Sequence, residues 1–193
     1  MKTERSRILL ALAAVYLVWG STYLAIRYAL EGFPPFFLAG ARFAVAGAIA
    51  YAIARARGAA HPTGAQWRSA AIVGTLLVFG NGCVVIAEQW VTSSVAAVAI
   101  ASVPLWIALF AGLFGRWPSR GEWIGLAVGL GGVALLQTGG DLRASPAGAL
   151  VLTAGCVSWS LGSIYSGRLP LPKGLISSAA QMFAGGLVML AVA

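Results

Sequence analysis

Long apolar runs, each closed by a short polar or turn-forming separator, make up nearly the whole chain. The runs are Ile8–Leu30, Pro35–Ala54, Ala70–Trp90, Ser94–Phe114, Glu122–Gln137, Ala147–Ser166 and Leu175–Ala193. From Ile8 to Ile26 no residue is charged, a stretch that spans about 28 Å as a helix, one bilayer hydrocarbon core. None of the runs alternates with period two, and all exceed the length of a barrel strand, so each predicts a membrane-spanning helix. The separators carry turn chemistry: Glu31-Gly32-Phe33-Pro34-Pro35, Gly58 to Gly64, Arg116 to Arg120, Gly139-Gly140-Asp141 and Leu169 to Gly174. Connections this short join antiparallel neighbours. The expected fold is an all-α integral membrane protein, a polytopic helical bundle.

Polar positions inside the runs are few and patterned. Trp19, Thr22, Tyr23 and Arg27 fall at i, i+3, i+4 and i+8 and share one face of the first helix. Lipid disfavours such a face, because an unsatisfied polar group in hydrocarbon costs several kcal/mol. Two readings fit: glue between helices, or the wall of a substrate cavity. Arg42 lies about 10 Å into the second helix, and Glu88 near the end of the third, one heptad after Asn81. Charges within spans usually face the bundle interior and pair, so Arg27, Glu31, Arg42 and Glu88 are expected in one layer. For Arg27, snorkelling to the headgroups is the plainer alternative; for Arg42 and Glu88, a purely structural ion pair.

Composition changes little in this picture but excludes much. Hydrophobic residues make up 60% of the 193, charged residues only 9%, and mean hydropathy is +0.87. A soluble domain carries about 25% charged residues. The net charge of +8 comes from scattered Lys and Arg with no dense patch, which argues against nucleic acid. Lys2, Arg5, Arg7, Arg55, Arg57, Arg68, Arg116, Arg120, Arg168 and Lys173 fall on one side of the bundle, Arg143 alone on the other. That bias places the N-terminus in the cytoplasm. Cys83 and Cys156 lie inside apolar runs and read as small core residues. His61 is the only histidine and Asp141 the only aspartate, both in connections, so no catalytic pair, metal site or cofactor site is expected within the membrane.

Three further features bear on architecture. Pro104, in Ser102-Val103-Pro104-Leu105-Trp106, cannot donate a backbone bond and should break the fourth helix, leaving the Ile100 carbonyl free. Broken helices of this kind often mark transport sites. Gly121, Gly125 and Gly129 form two overlapping GxxxG units and predict close packing of the fifth helix. A shift of 140 residues brings Leu12, Ala14 and Trp19 onto Leu152, Ala154 and Trp159, and Ala39, Phe43 and Ala44 onto Ala179, Phe183 and Ala184. An odd number of helices separates the copies, so the second is inverted, with Trp159, Ser160 and Ser163 mirroring the polar face of the first helix.

The run from Trp19 to Phe43, WGSTYLAIRYALEGFPPFFLAGARF, resembles the opening of the EamA-type drug/metabolite transporters, and within them a bacterial metabolite and amino-acid exporter branch. Gly80 to Phe114 is similar to that family's third and fourth helices, with Pro104 at its proline, Glu122 to Leu136 to its fifth, and Val151 to Pro172 to its sixth. The resemblance covers essentially the whole chain. It implies an inverted five-plus-five helix repeat with both termini cytoplasmic and export of amino acids, related metabolites or amphiphilic compounds. On it, residues 8–138 form the first repeat and 146–193 the start of a second, in a bacterial inner membrane. Many members carry a glutamate after the fourth helix where this chain has Phe114-Gly115-Arg116, so no role of that glutamate carries over.

The expected function is therefore a secondary transporter of small molecules working by alternating access, with Trp19, Thr22, Tyr23, Arg42, Asn81, Glu88, Pro104, Trp159 and Ser163 bordering its cavity. The alternatives are a small channel, which should show rings of charge or a filter segment, or a membrane scaffold that oligomerises. Its expected partners are the solute and the lipid bilayer. A chain with one full repeat and two helices of the next is expected to be a fragment of a protein of about 290 residues, a length set by the family resemblance and the repeat. A short form that completes its bundle as a homodimer is the alternative. Orientation is testable directly. With Cys83 and Cys156 replaced, Gly32→Cys should react with an impermeant thiol reagent in intact cells and Gly64→Cys should not; the reverse pattern would overturn the assignment.

Overall fold

The computed structural model describes residues 2–136 and 145–193, with side chains from residue 5 onward except at Tyr23 and Leu136. Every regular element among them is helical: α1 (Lys2–Ala29), α2 (Pro35–Ala56), α3 (Gly64–Ala87), α4 (Ser93–Ala101), α5 (Val103–Leu113), α6 (Arg120–Leu136), α7 (Pro146–Ser166) and α8 (Leu175–Ala191). Among the described residues each apolar run falls on one helix, except the fourth, which falls on two. Arg5–Ala29, Pro35–Ala56, Gly64–Ala87, Ser93–Leu113 and Pro146–Ser166 are long and apolar enough to cross a membrane, and Leu175–Ala191 is a shorter apolar helix. The expected turn at Gly139-Gly140-Asp141, and Arg143 with it, lies outside the described residues.

Local chemistry sets the helix ends where hydropathy alone misplaces them. α3 starts six residues before its apolar run because Thr63 and Gln66 form a capping box. The Gln66 N–H donates to Thr63 Oγ1 at 3.3 Å, and the Thr63 N–H to Gln66 Oε1 at 2.9 Å. Ser119 and Glu122 do the same for α6, at 3.3 and 2.7 Å. Thr92 and Ser145 cap α4 and α7 through the N–H groups of Val95 and Gly148. After α2 and α5 the chain reverses on Gly58 and Gly115, with φ of 83° and 93°, a conformation that a Cβ would penalise.

α3 is the axle of the bundle. Its Val84 joins a buried cluster with Ala87, Val91, Val95, Ala96 and Leu152, against α4 and α7. Val85, the next residue, faces the other way, into a cluster with Ile26, Ala39, Val78 and Met189 from α1, α2 and α8. Close approach is what brings these helices together, since lipid removes most of the hydrophobic drive for helix association. A Cβ at Gly74 would lie on the Gln181 carbonyl of α8, and one at Gly185 on the Gly74 carbonyl. On the α7 side, a Cβ at Gly155 would come within 3.0 Å of the Gly80 carbonyl and 2.8 Å of Cys83 Cβ. α2 and α8 meet the same way: Gly47 abuts Phe183, Ala44 abuts Gly186, and Gly40 abuts Leu190. Numbers rise along α2 as they fall along α8, the antiparallel sense.

One expectation fails here. The glycines of α6 were expected at a tight helix contact, yet Gly121, Gly125 and Gly129 have nothing within 4 Å of a Cβ position among the described residues. The close packing falls instead to glycines of α2, α3, α7 and α8, whose spacing follows no GxxxG pattern. The polar face of α1 is left open by the rest of the described chain. Trp19 is 58% exposed, and α1 docks through Ile26 near its end. Most large apolar side chains of α1 are exposed, as lipid-facing residues are.

The contrast between the two sets of glycines yields a test. Gly74→Val should lower the stability of the detergent-purified protein by about 1–3 kcal/mol or more, because α8 backbone occupies the space. Gly125→Val should change it by about 0.5 kcal/mol or less. Thermal melts of the two variants beside the parent protein check both.

Candidate functional site

Three helices bring charge to one end of the bundle, where α1 and α3 finish and α2 begins. Glu88 caps the C-terminus of α3 and is buried, at 7% exposure. Neither carboxylate oxygen has a hydrogen-bond partner among the described residues. Arg27 from α1 and Arg42 from α2 both act on it electrostatically. Arg27 is exposed and Arg42 half-buried, its guanidinium 5.0 Å above the Phe43 ring. Three of the four charges expected in one layer, Arg27, Arg42 and Glu88, are therefore brought together, while Glu31 is exposed and Arg42 and Glu88 form no ion pair. The one ion pair among the described residues is Arg116–Glu122, at 3.8 Å, near the start of α6.

A second polar cluster surrounds the break between α4 and α5. The chain leaves the helix at Ser102, two residues before Pro104, and re-enters at Val103. The Ala99 carbonyl accepts the Ser102 N–H at 3.0 Å and the Ser102 hydroxyl at 2.6 Å. α7 adds a bond at the same carbonyl, Ala99's and not the Ile100 carbonyl that the proline frees: the Cys156 thiol donates to it at 3.3 Å. The Ser160 hydroxyl reaches Val103 O at 3.4 Å and Cys156 O at 2.7 Å. Sequence reasoning took Cys156 for inert core filling. Its position four residues before Ser160, one face of one helix, is the signal that pairs the two with the break.

The remaining expected site residues divide among several surroundings. Thr22 donates to Val18 O within its own helix at 2.6 Å, and the side chain of Tyr23 lies outside the described residues. Asn81 donates to Leu77 O at 3.2 Å, and Ser163 to Trp159 O at 2.9 Å. Trp159 packs on Gly80, so α3 and α7 hold Asn81 and Trp159 near one crossing. Pro104 lines an apolar groove of about 500 Å³ between α5 and α6, which ends on Arg116 and Glu122. Arg42 lines another, of about 480 Å³, with Phe33, Phe37 and Val45. Neither groove holds any other of the nine expected residues.

A clamp that sequence reasoning missed closes the opposite end. Arg168, just past α7, stacks on the Phe114 ring at 4.2 Å and donates to the Phe114 carbonyl at 3.2 Å. Phe114 also meets the Tyr165 ring edge-on at 6.1 Å. A cation thus neutralises the carbonyl end of α5 while tying α5 to α7.

Comparison with known proteins gives this arrangement relatives. The profile of the EamA-like transporter family matches residues 6–138. The chain is 43% identical over 182 residues to proteins named uncharacterized inner membrane transporter YedA, from Escherichia coli K12 and from E. coli O157:H7. The match covers 93% of this chain and 60% of the relative, so the chain spans well under two thirds of the relatives' length. One solved crystal structure superposes with a TM-score of 0.69 at 26% identity, over 92% of this chain and 64% of its own.

The repaired break makes a measurable claim. Ser160→Ala should cost about 0.5–1.5 kcal/mol, the worth of a hydrogen bond. Ser163→Ala, whose hydroxyl bonds only within its own helix, should cost less. Unfolding of each variant in mixed micelles would rank them, and equal costs would count against a bond across the helices.

Proposed function

From the premise that the chain belongs to the EamA-like transporter family, we propose that it forms part of an inner-membrane secondary transporter that exports small metabolites, amino acids or related amphiphilic compounds, by alternating access. One observation carries the mechanism: the crossing of α2 and α8. The two helices are equivalents under the 140-residue shift, and their contacts run antiparallel. Ala44 against Gly186 and Gly47 against Phe183 belong to a register centred on Val45 and Gly185, themselves 140 apart. A two-fold axis through that crossing, lying in the membrane plane, relates the halves of an inverted repeat. On this reading residues 8–138 are one repeat and 146–193 the start of its inverted copy, with the N-terminus in the cytoplasm.

The site residues follow from the same reading. Trp19, Thr22, Tyr23 and Arg42 face the solute from the first repeat, with Asn81, Glu88 and Pro104. On this reading Trp159 and Ser163 lie opposite the α1 face, across the proposed two-fold. No residue acts as a catalyst, because transport needs a differential affinity between two open states and no covalent chemistry. The break at Ser102 gives the fourth span a joint at which α4 and α5 can tilt, and Cys156 and Ser160 keep its carbonyls bonded.

Counterflow tests the proposal. Purified protein in liposomes preloaded with a metabolite panel should accumulate labelled solute with saturable kinetics; linear, non-saturating flux would favour a channel. Arg42→Ala should reduce that exchange about tenfold or more, and wild-type exchange in this variant would remove Arg42 from the site.

A further inference from the structure

Glu88, assigned above to the cavity, carries a carboxyl whose missing partners the transport reading does not explain. Its carboxyl is more than nine-tenths buried, both oxygens lack donors among the described residues, and two guanidinium groups stand within electrostatic reach without closing on it. A buried carboxylate is stable only when hydrogen-bonded to a counter-charge; left without one it neutralises by taking a proton. Among the described residues two charges act on it, and Glu31, between α1 and α2, is exposed. α1 supplies Arg27 and α2 supplies Arg42. The end of α8 near Met189 and the start of α7 near Gly148 bring no titratable group among the described residues.

We propose that Glu88 is a proton-binding site: it holds a proton while its oxygens stand free, and releases it when Arg27 or Arg42 closes on the carboxyl. The O–H bond breaks and its electron pair stays on the carboxylate. The proton passes to water at Gln89 and Trp90, both exposed. Guanidinium N–H groups then bond the new carboxylate, and the charge of the three groups falls from +2 to +1. Arg27 is the freer arm, since it is exposed on a helix that docks mainly through Ile26. Arg42 must first leave the Phe43 ring. Proton occupancy at Glu88 thereby sets how tightly α1 and α2 are drawn to the end of α3. The inference concerns a proton and rests on no statement about the solute, so a failure to find solute flux would leave it standing.

Infrared difference spectroscopy of the 193-residue protein in liposomes, through a pH ramp, reads it directly. The chain has only five carboxyl side chains, so a band from one of them is resolvable. At neutral pH we expect the carbonyl stretch of a single protonated carboxyl free of hydrogen bonds. It should bleach as pH rises and be missing in Glu88→Gln. Arg27→Gln and Arg42→Gln each remove a partner for the anion, so bleaching in at least one of them should move to higher pH by about one unit, a tenfold change in proton affinity. A wild-type spectrum with no protonated carboxyl at neutral pH overturns the proposal with no variant needed. A band that survives in Glu88→Gln overturns it too, as does bleaching that neither arginine substitution moves.

Discussion

Backbone-to-backbone approach along α3 is the constraint on which the rest of the structure depends. In a bilayer, lipid tails satisfy apolar side chains as well as another helix does, so helices gain mainly from packing tightly and from bonds between their polar groups. Tight packing requires positions with no side chain at the crossing. Gly74 and Gly185 provide one such crossing, Gly80 and Gly155 another, and Gly47 lets α8 reach α2. Because these contacts fix α3 between α7 on one side and α8 on the other, they also fix where α3 ends. They therefore hold Glu88 buried, within electrostatic reach of Arg27 and Arg42.

The polar groups divide along that axle by kind. Neutral hydrogen-bonding groups, Ser102, Cys156 and Ser160, collect where Pro104 interrupts the fourth span. There they answer a backbone deficit that hydrocarbon would leave unpaid. Formal charges collect at the two ends. Arg168 closes one end on Phe114, fully engaged by ring and carbonyl. At the other end Glu88 is not engaged, although two arginines stand near it. One end is thus a built contact and the other a set of charges with more than one way to pair.

What could be read from the residues alone followed from interactions that are local or periodic. The apolar runs became helices, five of them long and apolar enough to cross a membrane, and the proline in the fourth run broke its helix near the expected turn, because hydropathy and a missing N–H act within one helix. The layer shared by Arg42 and Glu88 was also legible, since heptad spacing and run length fix depth. The glycines were not. Gly121, Gly125 and Gly129 carry the familiar spacing, yet a Cβ at any of them would meet nothing described, whereas Gly74 and Gly185 meet through a contact between segments more than a hundred residues apart. A spacing rule sees one helix and not its neighbour. The polar face of α1 has a related limit: the pattern marks a face unsuited to lipid but does not say which partner lies against it.

The proposed two-fold gives that face a definite meaning. α7 contacts α3 through Gly155, Ser158 and Gly162, with the Ser158 hydroxyl on Leu76 O at 2.8 Å. Moved back by 140 residues, this stripe falls on Val15, Val18 and Thr22 of α1. Val15 and Val18 are 53% and 63% exposed, and Trp19 stands to them as Trp159 stands to the α7 stripe. A counterpart of α3 would lie along Val15, Val18 and Thr22, and Trp19 would then border its crossing as Trp159 borders Gly80. The exposure of α1 and the burial of α7 are then one arrangement seen from its two sides. The first carries β-branched residues where the second carries glycine and serine. A helix packed on α1 would therefore stand farther off than α3 stands from α7, leaving room beside Trp19 that the α3–α7 crossing does not have.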